Sequence, residues 1–298
     1  MKNDAQSPLI GRADLHTHTT ASDGLQSPED NVRMAKEAGL AALAITDHDT
    51  IAGIDEALEA GEKYGIVVVP GIELSTVANG KDIHVLGYGY RTDNAMWLQR
   101  LERQMKARDR RNAAILEMLT KLGMPVSADE LTRAATTGDT SGSSSKRKNG
   151  SVGRPHIARA MVDKGYVSDI REAFDRWIGE DKPAYASEQR ISPLEAISWI
   201  HEAGGTAIIA HPGLYGDDGL VSSLLDGAAD GVEAYHSDHD HEEERRYAGW
   251  AEERGKIVTG GSDFHGISDG KSFHGAIGSR IVDMSVVKRL LGLGDDVK

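Results

Sequence analysis

The sequence predicts an α/β fold, a parallel sheet with helical crossovers that closes into a barrel and is interrupted by a helical insertion. Three observations predict it. Short apolar runs alternate with capped helical segments in both halves of the chain, the pattern of βα units. Seven such runs occur, which suits a closed barrel better than an open sheet. Over residues 92–188 the alternation stops and gives way to an inserted helical subdomain, leaving 1–91 and 189–298 as one discontinuous barrel.

Arg12 to His18 reads as the first strand, left through the turn Ala21-Ser22-Asp23-Gly24. A serine cap at Ser27, Pro28 in the first turn and a stop at Gly39 mark the first helix. Ala41 to Ile45 forms the second strand, and Thr50 to Gly65 the second helix. The third strand, Ile66 to Val69, breaks at Pro70-Gly71 and continues through Ile72 to Ser75. After the Asn79-Gly80 turn, Ile83 to Tyr90 is the fourth strand, of uncertain direction, with His84 near its start.

In the insertion, Met96 to Leu122 and Arg154 to Trp177 read as helices. Between them Thr136 to Gly153, rich in Thr, Ser, Gly and Lys, reads as a mobile loop. The alternation resumes with a helix from Ser192 to Ala203 and a strand from Thr206 to Ala210. Leu220 to Leu225 is helical, Gly231 to Tyr235 extended, Asp240 to Arg254 helical, and Lys256 to Gly260 extended. Ser285 to Leu293 is the last helix.

Composition removes several functions. With 39% hydrophobic and 27% charged residues the chain reads as globular. No apolar run approaches the ~20 residues of a membrane helix, and Met1 to Gln6 lacks a signal-peptide core. The absence of cysteine excludes disulfides and thiolate ligands and fits a cytoplasmic protein. A net charge of −13 argues against duplex DNA as partner. It leaves room for a small anionic substrate at a site that carries its own cations.

Residues that ligate metals gather at the predicted strand ends. His16 and His18 share one face of the first strand, since strand side chains alternate. His48 follows the second strand, Glu73 the third, His211 the fifth, and Asp263 and His265 the seventh. Strand C-termini of a barrel converge on one face, where catalysis is built. Nitrogen and oxygen donors alone suit Zn, Mn or Fe, and these residues, with His84 and with His236 after the sixth strand, are about right in number for three divalent ions.

These residues sit in motifs that resemble a known family. Asp14-Leu15-His16-Thr17-His18, Ser22-Asp23-Gly24, Ile45-Thr46-Asp47-His48-Asp49, Gly71-Ile72-Glu73, Ala210-His211-Pro212 and Gly261-Ser262-Asp263-Phe264-His265, in this order, resemble the PHP (polymerase and histidinol phosphatase) family. Gly153-Arg154-Pro155-His156-Ile157-Ala158-Arg159 resembles its branch of 3′,5′-nucleotide bisphosphate phosphatases and 5′–3′ exoribonucleases. The resemblance implies a distorted (β/α)7 barrel with a trinuclear centre. One ion takes His16, His18, Glu73 and Asp263; a second shares Glu73 and adds His84 and His211; a third takes Asp23, His48 and His265. It implies a phosphoesterase in which a hydroxide bridging two ions attacks phosphorus.

The expected substrate is a nucleoside 3′,5′-bisphosphate losing its 3′-phosphate. Short RNA degraded 5′ to 3′, histidinol phosphate, and a non-catalytic metal-binding module are the alternatives. Arg154 is expected to clamp phosphate bidentately, and His236 to bind phosphate or protonate the leaving oxygen. Asp47 is expected to orient a ligand, and Asp49 or Thr50 to cap the second helix. His239 and His241 read as a solvated helix start, and Arg100, Arg103, Arg108, Arg110 and Arg111 as a solvated helix face. His156, His201 and His274 read as core or surface residues, and Lys146-Arg147-Lys148 as a flexible basic run.

Overall fold

The structure is a computed structural model, described for residues 11–136, 151–186, 190–268, 271–272 and 274–293. Most of the Thr136–Gly153 segment, including Lys146-Arg147-Lys148, lies outside these residues. The barrel begins with β1 (Arg12–Asp14), α1 (Pro28–Glu37), β2 (Ala42–Ile45), α2 (Ile54–Tyr64) and β3 (Val67–Ala78). The Ser27 side chain accepts the Asp30 N–H and starts α1, and left-handed Gly65 (φ 66°) ends α2. β1, β2 and β3 run parallel, and every β2 residue is buried, as two covered faces require.

β3 does not break at Pro70-Gly71. Its first half pairs with β2 as far as Pro70; from Gly71 it pairs antiparallel with β4 (Lys81–Tyr88). Pro70, which has no N–H, stands where the ladder changes partner, the position at which a missing donor matters least. At Gly71 a Cβ would lie 2.7 Å from Thr46 Cγ2 and 2.9 Å from the Ile45 carbonyl oxygen, so only glycine passes there.

Next come α3 (Ala95–Lys121), α4 (Ala128–Thr136), α5 (Arg154–Asp163), α6 (Ile170–Ala173) and a π-helical turn at Phe174–Ile178. They pack around their own apolar cluster, which includes Ile115, Leu119, Ile157, Met161 and Ile178. The predicted Arg154–Trp177 helix is therefore two helices, parted at Gly165 (φ 70°). The barrel resumes with α7 (Pro193–Glu202), β5 (Thr206–Ile209), a 3₁₀ turn at Pro212–Tyr215, α8 (Asp218–Asp226), β6 (Gly231–His236), α9 (His241–Glu253) and β7 (Ile257–Gly261). A small hairpin, β8 (Ile267–Ser268) and β9 (Lys271–Ser272), precedes β10 (Val282–Asp283) and α10 (Met284–Leu290).

The main sheet has eight strands in the order β10-β1-β2-β3-β4-β5-β6-β7, with β10 added antiparallel to β1. Its ends nearly close. Leu15 N–H donates to the Gly260 carbonyl at 3.2 Å, His18 N–H donates to Phe264 at 2.8 Å, and Thr17 bridges Phe264 in parallel. Gly261 permits this closure, because a Cβ there would lie 2.4 Å from the His16 nitrogen. The result is a distorted α/β barrel surrounded by helices. β4 alone of its first seven strands runs against the rest. Among the described residues no helix is long and apolar enough to cross a membrane.

Candidate active site

Because six barrel strands are parallel, their C-terminal ends deliver His16, His18, His48, Glu73, His211, His236, Asp263 and His265 to one face. β4 runs the other way and supplies His84 from its beginning, in register with Ser75, two residues beyond Glu73. Glu73 is the hub. Its Oε1 lies 2.7 Å from His84 Nδ1 and 3.0 Å from His211 Nε2. Its Oε2 lies 3.1 Å from His18 Nε2, 3.4 Å from His16 Nε2 and 3.0 Å from His48 Nδ1. Asp23 holds a second group, 3.6 Å from His18 Nδ1 and His48 Nε2 and 3.5 Å from His265 Nε2.

The donors suit cations on chemistry and on spacing. His16 Nε2 and His18 Nε2 stand 3.1 Å apart, with Asp263 Oδ1 at 3.3 and 3.2 Å and Glu73 Oε2 near both. Bonds of about 2.1 Å to a tetrahedral ion would separate its ligands by roughly 3.4 Å. Asp23 Oδ1, Asp263 Oδ1, His48 Nδ1 and His84 Nδ1 are buried and find no hydrogen-bond partner among the described residues. Burial opposes charge on Glu73 and Asp263, yet the neighbouring imidazoles hold both carboxyls well below their ordinary range. Burial likewise opposes the charged form of His18, but Asp263 and Glu73 outweigh it and push the imidazole up to about 10.

A surrounding set of hydrogen bonds fixes ring orientation. Glu233, fully buried on β6, receives His16 Nδ1–H with both oxygens at 3.0 Å and the His211 N–H at 2.9 Å. His265 Nδ1–H donates to the Asp263 carbonyl at 2.9 Å. The two ring bonds, at His16 and His265, leave Nε2 free to ligate. Asp47 accepts from Thr19 N–H, Thr19 Oγ1 and Ser22 Oγ, which shapes the loop carrying Asp23. Three non-glycine residues with positive φ, Asp49 (55°), His211 (20°) and Asp263 (53°), lie in this small region. Such strain is retained where the surroundings over-determine it.

The cluster forms one wall of a cavity of about 510 Å³. Arg108, Arg111, Arg154, Arg159 and Arg190 line the rest, with Leu25, Ile170, Phe174 and Leu214 as apolar surface. Asp82 pairs with both Arg154 and Arg190, and Arg154 also lies over the Phe174 ring. Burial would raise the Asp82 pKa, but the two guanidiniums hold it well below the ordinary carboxylate range. The insertion is tied to the loop that carries Asp23: Ser151 N–H donates to the Ala21 carbonyl at 2.7 Å, and Asn112 Nδ2 on α3 holds the adjoining Val152 carbonyl at 2.8 Å.

A model of the PHP domain family matches residues 14–178. The chain belongs to the PHP domain family. It is 36% identical over 262 residues to a 5′-3′ exoribonuclease of Haemophilus influenzae, spanning 86% of this chain and 91% of the relative. It is 32% identical to a 3′,5′-nucleoside bisphosphate phosphatase of Chromobacterium violaceum, spanning 88% and 90%. A solved structure from Bifidobacterium adolescentis, named as a candidate metal-dependent phosphoesterase, superposes with a TM-score of 0.82 at 31% identity, covering 98% and 99%. This PHP protein is a metal-dependent hydrolase of phosphoester bonds.

Within this PHP site the structure corrects several expectations. Arg108 and Arg111 are not a solvated face: they are 7% and 4% exposed and line the cavity. Asp49 does not cap α2, whose N-cap is Gly53; it accepts Ser75 N–H at 2.9 Å and Arg108 Nε–H at 2.6 Å. His239 is buried, donating Nδ1–H to Ala234 and accepting the Gly213 N–H, which steadies the turn after His211; His241 is solvated as expected. His274 lines the cavity, 2.6 Å from Asp238 and 3.7 Å from Asp263 Oδ2. His156 accepts the Gly153 N–H and caps α5. Sequence reading passed over Glu233, Asp82 and Arg190. The signal for Glu233 was present: a lone acid in the apolar strand Gly231-Val232-Glu233-Ala234-Tyr235.

Proposed function

We propose that this PHP phosphoesterase removes the 3′-phosphate from nucleoside 3′,5′-bisphosphates with three divalent ions, Mn, Fe or Zn. One observation carries the reading: a single cavity joins the metal-competent cluster to five arginines, two of them buried, and an apolar wall. A bisphosphorylated nucleoside presents matching parts, two anionic ends and a flat apolar base. About 510 Å³ lies within the ordinary range for small-ligand sites, ~300–1,000 Å³.

His16, His18, Glu73 and Asp263 would hold the first ion, Glu73, His84 and His211 the second, and Asp23, His48 and His265 the third. Divalent ions in this setting supply Lewis acidity and an activated water. The protein's own groups do the rest. Arg154, restrained by Asp82, clamps phosphate. His236 accepts the Asp238 N–H at Nδ1, so the neutral ring carries its proton at Nε2, 3.3 Å from Asp263 Oδ2. That proton faces the cluster, where it bonds a phosphate oxygen or passes to the leaving oxygen. Residues 92–188 act as a cap that limits water around the bound nucleotide.

A second reading, 5′–3′ exonuclease action on short RNA, is supported by the name of the Haemophilus relative. The test is a turnover screen of Mn-loaded protein against nucleoside bisphosphates, mononucleotides, 5′-phosphorylated oligoribonucleotides and histidinol phosphate. Bisphosphates are expected to give the highest kcat/KM. Poor turnover of bisphosphates beside rapid release of mononucleotides from RNA would replace the first reading with the second.

A further inference from the structure

His274 lines the cavity from a loop that is pinned on both sides of it. Ser272 Oγ–H donates to the Gly275 carbonyl at 2.7 Å, and Gly275 N–H donates to the Ser262 carbonyl at 3.0 Å. A Cβ at Gly275 would clash with Ser237 Oγ and Ser279 Oγ and lie 2.8 Å from that Ser262 oxygen, so glycine lets the loop press against the end of β7. The ring is fixed as well. Its Nδ1 lies 2.6 Å from Asp238 Oδ2, and a carboxylate there holds a proton on Nδ1. Its Nε2 then lies on the side of the cluster, 3.7 Å from Asp263 Oδ2, with the ring centroid 5.1 Å from that of His265.

We infer that His274 hydrogen-bonds the ribose 2′-hydroxyl of the substrate, so that this enzyme discriminates ribonucleotides from 2′-deoxyribonucleotides. The inference rests on the nucleotide reading above and goes beyond it, because that reading leaves the sugar unspecified. The 2′-hydroxyl sits on the carbon next to the one that bears the 3′-phosphate. A 3′-phosphate seated on the metal-competent cluster therefore brings the 2′-hydroxyl to the polar groups that border the cluster. Ser75, His156, Ser272 and His274 are the polar side chains of the described wall that are neither proposed ligands nor arginines. Ser75 Oγ receives Arg108, Ser272 Oγ is given to Gly275, and His156 Nδ1 accepts the Gly153 N–H. His274 has its second ring nitrogen turned toward a ligand of the cluster, Asp263. A hydroxyl both donates and accepts, so the bond forms whichever charge the ring carries. A wall group placed to bond a substrate hydroxyl rejects the analogue that lacks it, because its own bond is then unmade. The 2′-hydroxyl is also the group by which a protein tells RNA from DNA.

The test is kinetics of Mn-loaded protein on adenosine 3′,5′-bisphosphate and its 2′-deoxy analogue, in wild type, His274→Leu and His274→Gln. Wild type is expected to favour the ribonucleotide about tenfold in kcat/KM, the effect of one good hydrogen bond. His274→Leu is expected to lower kcat/KM for the ribonucleotide about tenfold more than for the deoxyribonucleotide, bringing the two near parity, and His274→Gln to restore part of the preference. The ratio of two substrates on one preparation does not depend on its active fraction, so partial misfolding of a variant leaves the comparison intact. Calorimetry with adenosine 5′-monophosphate and 2′-deoxyadenosine 5′-monophosphate measures the same preference without turnover. Equal treatment of the two sugars by wild type, or an undiminished preference in His274→Leu, overturns the inference. A loss in His274→Leu that is equal for both substrates also overturns it, and places the ring on the phosphate or the leaving oxygen instead. If wild type releases phosphate from neither bisphosphate, the phosphatase reading fails, while the calorimetry still decides whether His274 recognises the 2′-hydroxyl.

Discussion

Glu233 places both carboxylate oxygens 3.0 Å from His16 Nδ1, on the same strand that carries His236. A carboxylate behind an imidazole fixes the ring's tautomer and raises its strength as a ligand. Glu233→Gln is therefore expected to weaken metal binding by about 10–100-fold. Competition against a metallochromic chelator measures this, with the parent and variant compared at equal protein folding.

Metal uptake should release protons. Burial disfavours the cationic form of His16, but Glu233, Asp263 and Glu73 hold its pKa well above the ordinary histidine value, and His18 is held at about 10. These carboxylates favour the protonated imidazoles, and an ion must displace the proton held between His16 Nε2 and His18 Nε2, 3.1 Å apart, to bind. Apparent affinity is expected to rise as pH increases from 6 toward 9. Calorimetry in buffers of different ionisation enthalpy would show net proton release near pH 7; uptake, or no exchange, would contradict the assignment.

Arg108 and Asp49 form a buried pair between the insertion helix α3 and the end of β2. Removing one partner leaves the other charged and unpaired, a loss of about 3–5 kcal/mol. Arg108→Met is expected to lower stability by that amount in urea denaturation of the metal-loaded protein. Arg103→Met, on the exposed side of the same helix, should change it little.

His236→Asn tests proton donation apart from metal holding. Elemental analysis is expected to show unchanged metal content, while kcat falls about 10²–10⁴-fold, the range of a lost general acid. Lost metal would instead make His236 a ligand, and unchanged turnover would remove it from the chemistry.

Most of the metal-competent cluster was readable from sequence because its pattern is local. His-x-His fixes a shared strand face, and His48, Glu73, His211, Asp263 and His265 each follow an apolar run whose end is visible in the chain. The arginines were not readable. Arg108 and Arg111 are interleaved with Asp109, Arg110 and Glu117 along α3, the pattern of a solvated face. Only the packing of α3 across the barrel mouth turns that side inward, and nothing local reports it. Pro70-Gly71 misled for the opposite reason: a local breaker signal was overridden by a change of strand partner. β10 pairs through only Val282 and Asp283, too short a run to show alternation. His274 reaches the cavity from a late loop, where spacing carries no information about neighbours.

The central claim is tested most directly by identifying the products of nucleoside 3′,5′-bisphosphate hydrolysis on Mn-loaded protein. Phosphorus NMR of the reaction is predicted to show inorganic phosphate and nucleoside 5′-monophosphate in equal amounts. Accumulation of nucleoside 3′-monophosphate, or no phosphate release from a fully metal-loaded protein, would contradict it.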